Sequence, residues 1–320
     1  MKLQLIESNQ YNPYLNLAVE NYLFDDFKEN TVTMYLWKND KTVVIGANQN
    51  PYSECNHNLL SDDGGFLMRR TTGGGAVYHD LGNINFTFIA DKNIHDLTKQ
   101  FRVIQTALQD YGIETETSGR NDLVYRGRKF SGNAFINSKL QSLHHGTILI
   151  KTDIESINKY LIVDKTKLRK HGVESVKSRV VNLSEIADVT SENIVPHLVN
   201  AFKTVYGHDV LTLDFDDIAK KEEVRQRYLK YSSKEFIFGH WDQFKATISH
   251  TFNWGKVDID ISVNTETGNI LDIEIATDSL RPDSIAQAKT ILLDNKHNAC
   301  NSIVGDEVVD DIVALVRNRM

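Results

Sequence analysis

Three consecutive glycines, Gly73, Gly74 and Gly75, follow two arginines, Arg69 and Arg70, in the run RRTTGGGAVYHD. Glycine takes positive φ without steric penalty. Successive main-chain N–H groups with no side chain in the way form a concavity that attracts phosphate or carboxylate. Arginines just ahead of such a loop offer fork-shaped donors to the same anion. The run is not a Walker A sequence, since no Gly-Lys-Ser/Thr follows, and it lacks the GxGxxG spacing of a dinucleotide fingerprint. Taken alone, a triple glycine serves equally well as a hairpin turn.

Further cations follow downstream: Arg120, Arg126, Arg128 and Lys129, then Lys165, Lys167, Arg169 and Lys170, leading to Lys177 and Arg179. Most such runs are solvated surface. Lys129 differs because it heads KFSGNAFI, an apolar run that reads as a strand entering the interior. A lysine at the mouth of such a strand reaches a buried carboxylate or phosphate as a compact cation. Asp122 nearby can orient that lysine, hold a magnesium ion or pair with an arginine, and residue chemistry leaves the three open.

Other chemistries find no support. His79, His144 and His145 do not make HExxH or a similar zinc spacing, and no GxSxG elbow occurs. Cys55 and Cys300 lie far apart and form no CxxC pair. They read as reduced thiols, and nothing gives Cys55 a base.

The elements that must position these residues come in groups. A helix starts near Pro13 with Leu15, Ala18, Val19, Tyr22 and Leu23 on one stripe. Thr31–Trp37 and Thr42–Ile45 read as strands, with Asn39-Asp40 as turn chemistry between them. Ile84, Phe86 and Phe88 alternate with polar residues, as in a half-buried strand. Phe101, Ile104, Leu108 and Tyr111 mark a helix that Gly112 stops, and Leu198–Tyr206 another closed by Gly207. Strand-like runs return at Asp122–Tyr125, Lys129–Ile136 and Leu143–Ile150. Grouped strands with helices between the groups favour α+β with a mixed or antiparallel sheet. Asp214–Lys230 reads as a surface helix leading to a junction near Tyr231–Lys245. Beyond it a hairpin, with Val257–Val263 and Leu271–Ile275 alternating, precedes two short helices.

Of 43 acidic and 36 basic residues in the 320-residue chain, 12 and 6 fall in residues 246–320. The net charge of −7 therefore belongs mostly to a C-terminal unit, and it argues against nucleic acid as the partner. No apolar run long enough to span a membrane occurs, and the N-terminus has no signal-peptide pattern, which predicts a cytoplasmic protein without a membrane partner.

At this point the residues resemble a known family. RRTTGGGAVYHDLGNINF, GRNDLVYRGRKFSGNAF, HHGTILI and GVESVKSRVVNL look like the lipoate–protein ligases, in that family's order. WKNDKTVVIGANQN resembles the family's early strand pair. The resemblance covers essentially the full chain. It implies a large mixed or antiparallel-sheet catalytic domain of the biotin/lipoate ligase type, residues 1–245, and a small α+β accessory domain, residues 246–320. The implied reaction has two steps. Lipoate and MgATP give lipoyl-adenylate, which then acylates a lysine of an apo lipoyl-carrier protein, an E2 lipoyl domain or a glycine-cleavage H protein.

Carried over by motif, Arg70, Gly73, Gly74, Gly75, Ala76 and His145 bind lipoate. Arg70, Val77, Tyr78, His79, Lys129, Lys177 and Val180 face ATP or the adenylate. Lys129 and Asp122 are the catalytic pair, Asp122 also the magnesium ligand. Gly172–Asn182 matches an adenylate-binding loop. A monomer is expected. Two rivals remain: an ATP-independent lipoyl or octanoyl transferase, and a non-catalytic lipoate- or carrier-binding protein. Both cysteines lie outside the motifs, which disfavours a thiol-dependent transferase. The missing GRGR-type loop disfavours a biotin ligase.

Overall fold

The Ile84–Phe88 alternation sits in the middle of the larger sheet. The computed structural model describes residues 1–119, 122–162, 179–239, 245–264, 269–277, 279, 281–294 and 304–319. By its internal contacts the chain divides into two compact units, Met1–Gln49 with Leu59–Ser233, and Asn50–Asn58 with Lys234–Met320.

In the first unit the strands are β1 (Lys2–Glu7), β2 (Thr31–Trp37), β3 (Thr42–Ile45), β4 (Phe66–Arg69), β5 (Val77–His79), β6 (Asn83–Asp91), β7 (Glu116–Ser118), β8 (Asp122–Tyr125), β9 (Arg128–Asn137), β10 (Gln141–Leu149) and β11 (Val210–Thr212). Eight form one sheet in the order β11-β1-β2-β6-β10-β9-β8-β7. It is mixed: β1 runs parallel to β11 and β2, and the other pairs are antiparallel. The remaining three form a small sheet, β4-β3-β5.

The two runs flanking Asn39-Asp40 are strands with the expected bounds, but they do not pair with each other. β2 lies between β1 and β6, while β3 joins β4 and β5. β2 is buried along its whole length, so both its edges and both its faces need partners that a two-stranded hairpin cannot supply.

The core lies on one face of the eight-stranded sheet. The Leu97–Gln109 helix and the Ile194–Tyr206 helix cover it, and their Phe101, Ile104, Leu108, Leu198 and Phe202 pack with Ile84, Phe86, Phe88 and Phe130. Phe86, Phe88, Phe130 and Phe202 are fully buried, and each such side chain contributes ~1.5–3 kcal/mol of burial. β6 is buried at all nine positions rather than at alternate ones. Its other face carries Asn83, Asn85 and Thr87, and these are closed off from solvent too. That second face is where the site lies. The first helix, Pro13–Asp25, supplies side chains to it; Asn12 caps the helix by accepting from the N–H groups of Tyr14 and Leu15.

In the second unit β12 (Lys245–Phe252), β13 (Gly255–Val263) and β14 (Ile270–Thr277) form an antiparallel sheet. Val257, Ile259, Ile261 and Ile273 meet Ala288 and Leu292 of the Pro282–Asp294 helix and Val308, Val309, Ile312 and Val316 of the Glu307–Arg317 helix. The expected hairpin is β13–β14; β12 adds a strand where the sequence pattern indicated only the end of a junction. Among the described residues no helix is long and apolar enough to cross a membrane.

Candidate active site

β4 ends at Arg69, and the chain then crosses the end of β3. The Arg70 N–H donates to the Ile45 carbonyl at 3.0 Å, and the Ala47 N–H donates to the Thr72 carbonyl at 2.9 Å. The glycine loop springs from this crossing. Gly74 has φ +98°, and a Cβ there would come within 2.8 Å of Arg70 Nη2. At Gly46 a Cβ would collide with the Gly74 carbonyl oxygen, so the loop rests directly on that glycine. Gly73 and Gly75 face open space.

The Arg70 guanidinium turns inward. Its Nε donates to Thr72 Oγ1 at 2.9 Å and Gly73 O at 3.2 Å, Nη2 to Gly73 O at 2.7 Å and Gly75 O at 2.9 Å, and Nη1 to Val44 O at 3.3 Å. Burial lowers its pKa to about 10, partly offset by the field of Glu20. The fork expected to seize an anion instead grips the carbonyls of the loop. A trans peptide plane sets C=O and the following N–H on opposite sides, and the described residues contain no cis bond. With the Gly73 and Gly75 carbonyls held by Arg70, the N–H groups of Gly74 and Ala76 point away from it. Arg69 acts similarly one turn earlier: Nη1 donates to the carbonyls of Gly46, Ala47 and Gln49 at 3.2, 3.0 and 2.8 Å.

Beneath the loop runs a buried hydrogen-bond chain. Trp37 Nε1 donates to Thr87 Oγ1 at 3.0 Å, and Thr87 Oγ1 donates to Glu20 Oε1 at 2.6 Å. His145 Nδ1 meets the same Oε1 at 2.8 Å, and His145 Nε2 meets Thr72 Oγ1 at 2.9 Å. Thr72 Oγ1 also accepts from Arg70 Nε, which links this chain to the guanidinium. Glu20 is 0% exposed and its Oε2 has no hydrogen-bond partner. Asn83 Oδ1, Asn85 Nδ2 and His79 Nε2 are likewise buried without one. Unsatisfied polar atoms gathered in one part of a fold mark a place for a ligand or water.

The expected contacts of Val77, Tyr78 and His79 divide. Ala76 and Val77 are half-buried. Tyr78 is buried against Tyr160, its ring 5.7 Å away, and burial pushes its pKa up to about 12. His79 is buried beside Trp37, accepting at Nδ1 from Asn39 Nδ2. Burial, then the charge of Arg70 and the proximity of His145, lower its pKa to about 3, so it is neutral. Consecutive on one strand, the two rings point to opposite faces, Tyr78 towards Tyr160 and His79 towards Trp37. His144 faces the other way into the aromatic core, between Gln100 and Asn133, with a pKa held well below the usual value by burial.

Lys129 and Asp122 form an ion pair, Nζ to Oδ1 at 2.8 Å. Asp122 pairs with Gly132 and Leu123 with Ser131, but Val124 pairs with Lys129, so Phe130 has no counterpart on β8. This is a β-bulge. Phe130 and Ser131 are both fully buried on the core side. The extra residue brings Lys129 onto the face shared with Gly132, Ala134 and, across β10, His145. The glycine loop, the buried chain and the ion pair therefore lie on one face of one sheet.

Val180 lies beside this pair. The Lys129 N–H donates to the Arg179 carbonyl and the Val181 N–H to the Lys129 carbonyl, each at 2.9 Å. Arg128 donates from Nε and Nη2 to the Val180 carbonyl at 3.1 and 2.8 Å. Lys177, most of the Gly172–Asn182 segment, Arg120, Asn121 and the cluster from Lys165 to Lys170 lie outside the described residues. Among the described residues no group of three His, Cys, Asp or Glu side chains stands ready to hold a metal. Cys55 is buried, with a pKa raised to about 12 by burial, and is no nucleophile. Glu20 escaped sequence reasoning. Its one signal was a carboxylate four residues after Asn16, both on the inward side of a helix whose apolar stripe they adjoin.

The family model described as "Lipoyl protein ligase A/B catalytic domain" matches residues 12–203, and that described as "Bacterial lipoate protein ligase C-terminus" matches residues 242–301. A lipoate-protein ligase A of Bdellovibrio bacteriovorus is 39% identical over 291 residues, 89% of this chain and 85% of its own length. A P. falciparum protein solved in complex with lipoate is 31% identical, with TM-score 0.67, over 98% of this chain and 99% of its own. A bi-partite lipoate protein ligase of Thermoplasma acidophilum, described with its E2 lipoyl domain, is 25% identical, also with TM-score 0.67. It covers 75% of this chain and 97% of its own.

Proposed function

The chain belongs to the lipoate–protein ligase family, and from that membership we propose how its own residues carry out the ligation. The protein is a ligase that joins lipoate to protein. In this reading a lipoate carboxylate oxygen attacks the α-phosphorus of ATP. The bond to the β-phosphate oxygen breaks and pyrophosphate leaves. The amine of a carrier lysine then attacks the acyl carbonyl, and AMP departs. The observation that carries the reading is the placement of Lys129 and the glycine loop on one face of the sheet, within a chain that both family models match.

Adenylation builds negative charge on the α-phosphate. Lys129 Nζ and the outward N–H groups of Gly74 and Ala76 are fixed donors that favour that state over the ground state. Arg70 contributes by holding the loop in shape. The buried chain under the loop, Glu20 to His145 to Thr72, braces the end that receives the acyl tail. Asp122 holds Lys129 ready, and it is also the carboxylate suited to magnesium. A partly exposed carboxylate with no acidic cluster among the described residues fits an ion that binds mainly through nucleotide phosphates and water. Such an ion would neutralise phosphate charge.

Residues 1–245 are taken as the lipoate- and ATP-binding domain and 246–320 as the accessory domain. The carrier is an apo lipoyl domain of the E2 type or a glycine-cleavage H protein, in keeping with the Thermoplasma relative described with its E2 lipoyl domain. A monomer in the cytoplasm completes the reading. Transfer through a thiol finds no support in Cys55. Incubation with apo lipoyl domain, lipoate and MgATP is expected to add one lipoyl mass to one carrier lysine. Absence of that increment together with absence of lipoate-dependent ATP–pyrophosphate exchange overturns the proposal.

A further inference from the structure

We propose that Gly132 is a positioning residue for Lys129: its missing side chain is the space in which the lysine ammonium lies. The proposal rests on the reading of Lys129 as the residue that meets the α-phosphate. A Cβ built on Gly132 would stand 2.8 Å from Lys129 Nζ and 2.9 Å from its Cε. The next nearest atom among the described residues, chain neighbours aside, is Thr147 Oγ1, at 4.0 Å. Among the described residues the clash is therefore with the tip of one flexible side chain. Gly132 also does not occupy the left-handed region, so alanine suits its main chain.

Three features act together. The bulge at Phe130 turns Lys129 onto the Gly132 face, and Asp122, paired directly opposite Gly132, draws the ammonium across it to 2.8 Å. Without a side chain at 132, the lysine stem lies flat over the strand. An added methyl lifts the stem, moves the ammonium off its line between Asp122 and the site, and leaves the core untouched.

The test is the double-variant cycle of Gly132→Ala and Lys129→Ala, read by lipoate-dependent ATP–pyrophosphate exchange. Displacing a reacting group by an ångström can slow a reaction about a hundredfold, so Gly132→Ala is expected to lower kcat by at least about tenfold. The KM for lipoate and the melting temperature should stay near those of the parent. In the Lys129→Ala background the same substitution should have no further effect. Acetylation of Lys129 by acetic anhydride, followed by mass spectrometry, should be faster in Gly132→Ala than in the parent, because the amine is no longer held at Asp122. A parental kcat in Gly132→Ala, or an equal loss with and without Lys129, overturns the proposal. Near-parental exchange in Lys129→Ala alone instead removes the catalytic reading of the lysine.

Discussion

His145 Nδ1 lies 2.8 Å from Oε1 of Glu20, a carboxylate with no solvent exposure. Through Thr72 this pair reaches Arg70, and through Arg70 the carbonyls of Gly73 and Gly75. The glycine loop is thus tied by hydrogen bonds to a buried carboxylate.

Glu20→Ala is expected to leave the donors of Thr87 and His145 unpaired in the interior, at a cost of about 1–3 kcal/mol. Glu20→Gln keeps an acceptor for both, so its loss should be smaller. Urea unfolding of the two variants checks the order; equal stability of Glu20→Ala and the parent removes the brace.

Arg70→Lys retains the charge and loses the fork. A lysine ammonium cannot span Val44, Thr72, Gly73 and Gly75 from one position. A destabilisation of about 1–3 kcal/mol is expected, with a raised KM for lipoate as the loop loosens. Denaturant titration and steady-state exchange kinetics measure both effects.

Within the loop the three glycines should respond differently. Gly74→Ala meets both a positive φ and Arg70 Nη2, and should cost at least about 1–2 kcal/mol. Gly73→Ala and Gly75→Ala point into open space and should fold at parental stability, while their methyl groups obstruct the ligand side. Thermal melts set beside lipoate titrations separate the two kinds of loss.

His79 ties stability to acid. Its folded pKa of about 3 lies below the ordinary value of 6.5, so the unfolded chain binds the extra proton between those values. Stability from this group is complete above about pH 6.5 and is lost as pH falls towards 3, by up to about 1.4 kcal/mol per pH unit. His144, also held neutral by burial, adds in the same direction. His79→Gln should flatten, without abolishing, the fall in urea midpoint between pH 6.5 and 4.5.

Lys129→Ala should lower exchange by about a hundredfold or more, as loss of an anion-stabilising donor does. The Lys129–Asp122 pair is partly exposed, and surface pairs of this kind contribute about 0–1 kcal/mol, so the melting temperature should hardly move.

Much of the scaffold was legible in residue patterns. The β-branched and aromatic run Thr31–Trp37 and the stripe through Phe101 and Leu108 announce a strand and a helix on local grounds alone. Partners were less legible: nothing in Thr31–Ile45 tells that β2 and β3 enter different sheets, because pairing depends on residues far along the chain. β12 was missed since its Ala, Thr, Ser and His residues blur the alternation. At the site, Lys129 and Asp122 came from the motif, and the ion pair is there. The bulge at Phe130 was invisible, because a bulge exists only in relation to a second strand. Nor does a sequence say which way a guanidinium turns. Arg70 reads as a ligand-facing fork, yet burial directs it to the carbonyls of its own loop.

The main chain at Lys129 is held on both edges, in register with Val124 on one side and bonded to Arg179 and Val181 on the other. Such a mount leaves the backbone no slack, so any travel of the positive charge towards a phosphate is a rotation of the four-carbon stem. Rotamer changes of that sort in an exposed side chain take about picoseconds to nanoseconds, whereas collective backbone rearrangements are slower by orders of magnitude. On the proposed reading of Lys129, any final adjustment of the cation towards a phosphate is therefore fast beside movement of the main chain.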